Sequence, residues 1–238
     1  MIFRDKISNE ETNLLEAAQF DGEIVVVDNE SGIAAACEDI AQHRIVGFDT
    51  ETRPSFRAGV INKVALLQLY VPGRCYLIRL CRTRLDKSIL KILENNQILK
   101  IGVAVHGDIE ALRQLRHFRP AGFVELQQIA PEWGIEEKSL RKLSALVLGK
   151  KISKAQRLSN WEAAQFTEQQ ISYAATDAWV CLEILAKLEA TPKCNPAPAQ
   201  EIKAQAEPQK IEQKAKSRRR PFRRRKPHNS KPTTETKE

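Results

Sequence analysis

The sequence predicts an α/β fold, in which helices cover the faces of a mixed sheet of five or six strands. Runs of β-branched and apolar residues, typical of buried strands, dominate the first half of the chain. Two of these runs flank the tight turn Pro72-Gly73, which indicates an antiparallel hairpin. Later strands alternate with segments of helical periodicity, an order that favours parallel pairing, so the sheet must be mixed.

The first half of the chain is expected to supply four strands and two helices. A loose polar arm with a short helix is predicted ahead of them, at residues 1–22. The strands are predicted at 23–27, 44–49, 63–71 and 75–80, and the helices at 31–42, with Ser31 as its cap, and at 85–95.

The second half is expected to contain two more strands and four helices. The strands are predicted at 98–105 and 122–125, and the helices at 108–117, 126–133, 139–148 and 167–189. The last helix begins with TEQQ, in which Thr167 and Gln170 have the spacing of a capping box. Its apolar residues recur at helical spacing, which predicts that one face is buried.

The positive charge of the chain is concentrated at its C-terminal end. The net charge is +8 and the pI about 9.3, which suggests a polyanionic partner. Residues 191–238 contain 14 Lys and Arg against five Asp and Glu, a net +9, whereas residues 1–190 have a net charge of −1. Prolines and a near absence of aromatic residues predict a disordered basic tail at 191–238, after a single domain at 23–190.

Cysteine usage and hydropathy bear on the compartment. The five cysteines include no Cys-x-x-Cys spacing and are odd in number, which favours reduced thiols in a cytoplasmic protein over a disulfide framework. The N-terminal MIFRDKISNEE lacks the apolar core of a signal peptide. No run of about 18 apolar residues is present, so no membrane partner is expected.

Carboxylates occur at three places that secondary structure could bring together. Asp49 and Glu51 end a strand two residues apart, so both side chains point to the same face. Asp108 follows the strand KIGVAV, and Tyr173 and Asp177 lie on one face of the last helix. Each has an ordinary alternative: a solvated loop for the first pair, a helix N-cap for Asp108, and a Tyr–Asp hydrogen bond to a loop for the last.

Together these groups match the chemistry of phosphodiester hydrolysis by two divalent cations. Such catalysis needs two cations about 4 Å apart, and hard oxygen ligands suit Mg²⁺ or Mn²⁺. A nearby tyrosine can orient the attacking water. The sequence therefore predicts that carboxylates from separate segments converge around two metal ions.

Three motifs resemble the signatures of the DEDDy 3′–5′ exonucleases, which include RNase D and the Werner-type exonuclease. The motifs are FDTE at 48–51, KIGVAVHGD at 100–108 and YAATD at 173–177, and residues 143–185 are similar to the third-motif region of the RNase D and Werner branch. The resemblance covers about residues 23–190 and implies an RNase H-like fold. Nothing similar to an HRDC module or a helicase follows, and the basic tail takes their place.

The resemblance implies a role for each residue of the motifs. Asp49, Glu51 and Asp177 would bind the first metal ion. Asp49 would bridge to the second ion, and Asp108 would act mainly through metal-bound waters. Tyr173 would hold the nucleophilic water. Because all four acids and the tyrosine are present, an active enzyme is expected.

Further residues are candidates for contact with nucleic acid. Thr50 would offer its backbone to the terminal nucleotide, as the resemblance implies. Lys154 and Arg157, in the loop before the last helix, would contact phosphates, with a solvated charged loop as the alternative. An arginine cluster in the tail is predicted to bind phosphate nonspecifically, with a solubility tail as the alternative. Its members are Arg218, Arg219, Arg220, Arg223, Arg224 and Arg225.

The expected function is metal-dependent hydrolysis of nucleic acid with a free 3′ end, DNA in the first place, to nucleoside 5′-monophosphates. RNA trimming of the RNase D type is the nearest alternative, since recognition of the 2′-OH depends on pocket geometry. Two other classes stay open, a catalytically idle nucleic-acid-binding adaptor and a small-molecule phosphodiesterase. A degradation assay on oligonucleotides distinguishes all of them.

Overall fold

One six-stranded sheet organises the part of the chain that the computed structural model describes, residues 3–57, 59 and 61–194. The strands are β1 (Glu23–Val27), β2 (Ile45–Thr52), β3 (Val64–Val71), β4 (Arg74–Ile78), β5 (Leu99–Gly102) and β6 (Phe123–Glu125). The helices are α1 (Asn9–Leu14), α2 (Glu30–Ile40), α3 (Lys87–Leu93), α4 (Val105–Leu115), α5 (Leu126–Ile129), α6 (Leu140–Leu148) and α7 (Glu168–Glu189), with a short 3₁₀ helix at Ala130–Trp133. The predicted tail and its arginine cluster lie outside the described residues, apart from 191–194.

The strand order is β1-β4-β3-β2-β5-β6, and the mixed sheet predicted from the sequence is confirmed. Strand β3 runs antiparallel to β2 and to β4, and it forms the expected hairpin with β4. The remaining neighbours are parallel. Consequently β2, β4, β5 and β6 all end at the same edge of the sheet, where β3 begins.

Helices pack on both faces of this sheet. Residues Val46 and Phe48 of β2 point to the face covered by α2, α3 and α4, where Phe48 contacts Phe123 edge-on at 5.2 Å. The other face packs against α6 and α7, whose alanines at 174, 175 and 178 are fully buried. Burial of strand residues on two faces explains why β3 is apolar almost throughout.

The N-terminal segment is packed rather than loose. Its short helix α1 is confirmed, with a capping box between Ser8 and Glu11. Phe3, Ile7 and Phe20 are each less than 10% exposed. The expectation of a loose arm was therefore wrong for this stretch, because these three apolar residues, spaced widely among polar ones, are buried.

Several element boundaries differ from the expected ones. Helix α2 is capped by Asn29, whose side chain accepts from the Gly32 N–H at 2.8 Å, and Ser31 lies inside the helix. The capping box of Thr167 and Gln170 at the start of α7 is confirmed. Strand β5 ends at Gly102, three residues earlier than expected, and α4 then begins three residues early.

All five cysteines are unpaired, and those at 37, 75 and 181 are buried. Within the described residues, no helix combines the length and the apolarity that a membrane span requires.

Candidate active site

Strand β2 carries the first two carboxylates towards helix α7. Gly47, Asp49 and Glu51 alternate along the strand and therefore point to the same face. A Cβ atom at Gly47 would collide with the carbonyl of Ala178, so only glycine permits this close approach of helix to strand. The two carboxylates thus lie at the end of the strand, directly beneath α7.

Helix α7 supplies the third carboxylate and the tyrosine. Asp177 is only 5% exposed, so its carboxylate is buried beside the apolar residues at 174, 175 and 178. One carboxylate oxygen from each of Asp49, Glu51 and Asp177 lies within 4.8 Å of the other two. We call these three residues the acidic cluster. A single cation could contact all three, which fits the predicted metal ligands.

Asp108 approaches from the opposite face of the sheet. It lies in the first turn of α4, and its Oδ1 accepts a hydrogen bond of 2.6 Å from the Thr50 hydroxyl. The alternative of a helix N-cap is wrong for Asp108, since the helix has already begun at Val105. Thr50 was predicted to offer its backbone to the substrate, and its side chain in addition orients this fourth carboxylate.

Glu125, at the end of β6, builds the turn that carries Asp108. Ala104 is left-handed, with φ of 60°, a conformation that strains an alanine. The two carboxylate oxygens of Glu125 accept from the Ala104 N–H at 3.0 Å and the Val105 N–H at 2.9 Å. This role of Glu125 was not predicted from the sequence, although an acid at the end of a strand next to β5 is a signal that could have indicated it.

Burial and mutual repulsion raise the pKa values of the acidic cluster. The Asp49 pKa is raised well above its usual range by burial and then by the charges of Asp177, Asp108 and Glu51. The Glu51 pKa is raised to about 9 by burial and by Asp177 and Asp108, while the positive charge of Arg157 lowers it. Ionising all of these groups without a cation is therefore unfavourable.

Burial also raises the pKa values of Asp177, Asp108 and Tyr173. Burial raises the Asp177 pKa to about 7, while Tyr173 acts in the opposite direction. Burial raises the Asp108 pKa to about 6, the hydrogen bond from Thr50 lowers it, and the charge of Glu125 raises it. The Tyr173 pKa is raised by burial and by nearby carboxylates, so its phenol is neutral over the physiological range.

Polar atoms without partners mark the interior of the site. Among the described residues, Oδ1 of Asp177 and both amide atoms of Gln68 are buried with no hydrogen-bond partner. Gln68 pairs with Asp49 across β2 and β3, so its side chain lies on the same face as the acidic cluster. Buried polar groups are rarely left unpaired, and a cation bound by Asp177 would satisfy its free oxygen.

The loop before α7 forms one wall of the site. Trp161 is fully buried, and its ring centroid lies 6.0 Å from that of Tyr173. Arg79 holds this loop, because its Nη1 donates to the Ala164 carbonyl at 2.9 Å and its guanidinium lies over the Phe166 ring. Lys154 and Arg157 of the same loop are exposed.

The sequence is similar to those of known exonucleases. A family model described as 3′–5′ exonuclease matches residues 24–191. The chain belongs to this exonuclease family. It is similar to the mouse bifunctional 3′–5′ exonuclease/ATP-dependent helicase WRN, with 37% identity over 180 residues, which cover 71% of this chain and 13% of the mouse protein.

Solved exonuclease structures share the fold. The EXO domain of Nibbler from Aedes aegypti superposes with a TM-score of 0.64 and 25% identity, over 73% of this chain and 92% of that one. RNase D of Escherichia coli has the same fold, with a TM-score of 0.64 and 24% identity, over 71% of this chain and 44% of that one. The exonuclease chain therefore spans well under two thirds of the mouse and bacterial proteins.

Proposed function

We propose that the chain is a metal-dependent exonuclease that removes nucleotides from the 3′ end of a nucleic acid and releases nucleoside 5′-monophosphates. The observation that carries the proposal is the convergence of Asp49, Glu51 and Asp177 within 4.8 Å. These acids come from a strand and a distant helix, and their raised pKa values make them costly to ionise unless a cation neutralises them. Membership of the 3′–5′ exonuclease family supports the same chemistry.

Two Mg²⁺ or Mn²⁺ ions are the proposed cofactor, because every candidate ligand is a hard carboxylate oxygen. When bound, such ions would activate the attacking water and stabilise the leaving 3′ oxygen. The acidic cluster would hold the first ion. Asp49 would bridge to the second, and Asp108 would hold that ion mainly through water.

Protein groups around the ions have positioning roles in this proposal. Tyr173 keeps its proton because its pKa is raised, so its phenol can donate a hydrogen bond and hold the attacking water in line. The Thr50 hydroxyl fixes the orientation of Asp108. The Thr50 backbone would contact the terminal nucleotide, and Lys154 and Arg157 would contact phosphates. The arginine cluster at 218–225 would add nonspecific affinity.

DNA is the substrate proposed first, because the motifs lean towards the Werner-type exonuclease. RNA trimming of the RNase D type is the alternative within the same chemistry. Unpaired cysteines throughout the chain favour a reducing compartment, and we propose the cytoplasm.

A degradation assay tests the proposal. Strands labelled at the 5′ end, as single-stranded DNA, recessed-end duplex DNA and RNA, are incubated with Mg²⁺, Mn²⁺ or EDTA. We expect a ladder of shortened products with either metal and none with EDTA, with a 3′-blocked strand or with Asp49→Asn. Binding without shortening would favour the adaptor, and turnover of dinucleotides alone would favour the small-molecule phosphodiesterase.

A further inference from the structure

Three loops meet at the edge of the sheet where the acidic cluster lies. Residues 53–63 connect β2 to β3, residues 79–86 follow β4, and residues 149–167 lead into α7. Strands β2 and β4 both end at this edge, and the hydrogen bond from Arg79 to the Ala164 carbonyl brings the third loop to the loop that follows β4. Each of them carries arginines.

Side-chain contacts join the three loops into one surface. Nη1 of Arg53 lies 3.2 Å from Oε2 of Glu162. Two residues further, the Ala164 carbonyl accepts from Arg79 at 2.9 Å and from Nη2 of Arg82 at 3.3 Å. The guanidinium groups of Arg53 and Arg82 therefore both contact residues 162–164 of the loop before α7.

The same surface begins at the acidic cluster. Arg53 directly follows strand β2, two residues after Glu51, and Arg157 is an exposed residue of the loop that leads into α7. Arg53 contacts Glu162 and Arg82 contacts Ala164, both in that same loop. We call Arg157, Arg53, Arg82 and the neighbouring Arg84 the arginine track.

Much of the charge on this track is uncompensated. Arg82 and Arg84 are exposed, and neither forms an ion pair with another described residue. Arg82 uses one nitrogen on a neutral carbonyl, which orients the guanidinium without cancelling its charge. Because residues 1–190 carry a net charge of only −1, this local excess does not follow from a generally basic domain.

We propose that the arginine track binds phosphates of the substrate strand on the 5′ side of the nucleotide being removed. The proposal rests on the function proposed above, which places the 3′ end at the acidic cluster. Since that end of the strand meets carboxylates, the rest must leave across a surface that tolerates a polyanion. Guanidinium groups suit phosphates because they donate two parallel hydrogen bonds.

The double variant Arg82→Gln/Arg84→Gln tests whether the arginine track binds the substrate strand. Its matched control is Arg44→Gln/Arg119→Gln, which removes two exposed charges just before β2 and β6, at the opposite end of the sheet. Kinetics are measured on a single strand of about 12 nucleotides, a length within the range of single-strand binding sites, and on a trinucleotide with the same 3′ sequence. Circular dichroism verifies that both variants are folded.

For the long strand we expect KM to rise about tenfold in the track variant, with kcat almost unchanged and the trinucleotide little affected. The slope of log affinity against log salt should fall by about 1.4, which is two phosphates at about 0.7 each. The control should behave as wild type. The proposal would be contradicted by an unchanged KM, by an equal rise in KM for both substrates, or by the same rise in KM in the control.

A binding measurement separates this proposal from the one on which it rests. Fluorescence anisotropy with a labelled strand of about 12 nucleotides in EDTA reports the track without any turnover. If the wild type degrades neither substrate but the track variant still binds more weakly than the control, the exonuclease proposal fails and the track stands. If the wild type degrades both substrates and the variant binds the strand as tightly as the control does, only the proposed role of the arginine track is wrong.

Discussion

The two sides of the candidate active site are built differently. On the α7 side, Asp49, Glu51 and Asp177 are held by regular elements, since a long helix packs on a central strand through Gly47 and small alanines. On the α4 side, Asp108 depends on irregular backbone. A strained Ala104, the carboxylate of Glu125 and the Thr50 hydroxyl hold it in place.

Because of this difference, substitutions on the two sides should have effects of different kinds. Regular packing on the α7 side places three carboxylates with few adjustable contacts, so a change there either removes a ligand or disturbs the core. The α4 side relies on a few hydrogen bonds at a surface turn, each worth about 1 kcal/mol, so changes there should be graded.

The largest expected effect is on the α7 side, in Asp177→Asn. Loss of a charged ligand should lower turnover at least about a thousandfold, because amide oxygen is a much weaker partner for a divalent cation.

Tyr173→Phe keeps all the carboxylate ligands and should lower turnover about tenfold. Both effects are measured as kcat on a single-stranded oligonucleotide.

Stability provides the check on Asp177→Asn. In EDTA at pH 8 the variant should melt no lower than wild type, since it loses a repelling charge, and Mn²⁺ should no longer raise its Tm. A variant that retains wild-type turnover would contradict the proposed role of Asp177.

Gly47→Ala should disturb the same side through packing alone. The added Cβ collides with the Ala178 carbonyl, so helix α7 has to move away from β2, at a cost of about 2 kcal/mol. The three carboxylates would then separate and turnover should fall as well. Denaturant unfolding measures the stability, and Gly107→Ala, which has open space around it, serves as the control.

The stability of the metal-free protein should depend on pH, because the site contains carboxylates with raised pKa values. The Asp108, Asp177 and Glu51 pKa values lie at about 6, 7 and 9, above unfolded values near 4. Between these limits the folded chain binds more protons than the unfolded one, so its stability falls as pH rises. In EDTA we expect Tm to drop by about 5 °C from pH 5 to pH 9.

A divalent cation should remove most of this pH dependence, because it replaces the protons as the neutralising charge. Asp177→Asn should show a shallower slope in EDTA. A Tm in EDTA that rises across this interval would contradict the repulsion between the carboxylates.

The smallest effect is expected on the α4 side, in Glu125→Gln. An amide group presents one acceptor and one donor to two backbone N–H groups, so one of the two hydrogen bonds is lost, at a cost of about 1 kcal/mol. Asp108 should then be held less firmly, so turnover should fall about fivefold and half-maximal turnover should require a higher metal concentration. Glu110→Gln is the control, because Glu110 lies on α4 like Asp108 but contacts the exposed His106 ring at 3.2 Å and not the turn at Ala104.

Much of the site could be predicted from the sequence because local periodicity carries it. Alternation along β2 placed Asp49 and Glu51 on one face, and helical spacing placed Tyr173 and Asp177 on another. The start of α4 was placed wrongly because its turn is held by Glu125, which is distant in sequence. The packed N-terminal segment was missed because isolated apolar residues carry no periodic signal.

The sequence by itself determined the order of strands and helices, the motifs and therefore the exonuclease family, since these depend on residues close together along the chain. Only the tertiary structure decided which partners each charged group meets. Lys100 reads as an ordinary strand residue, yet it is fully buried and its ammonium donates to the carbonyls of Ile92, Asn95 and Ile98. Such contacts depend on how elements pack in space, and for that reason neither the Thr50–Asp108 hydrogen bond nor the arginine track could be predicted from spacing along the chain.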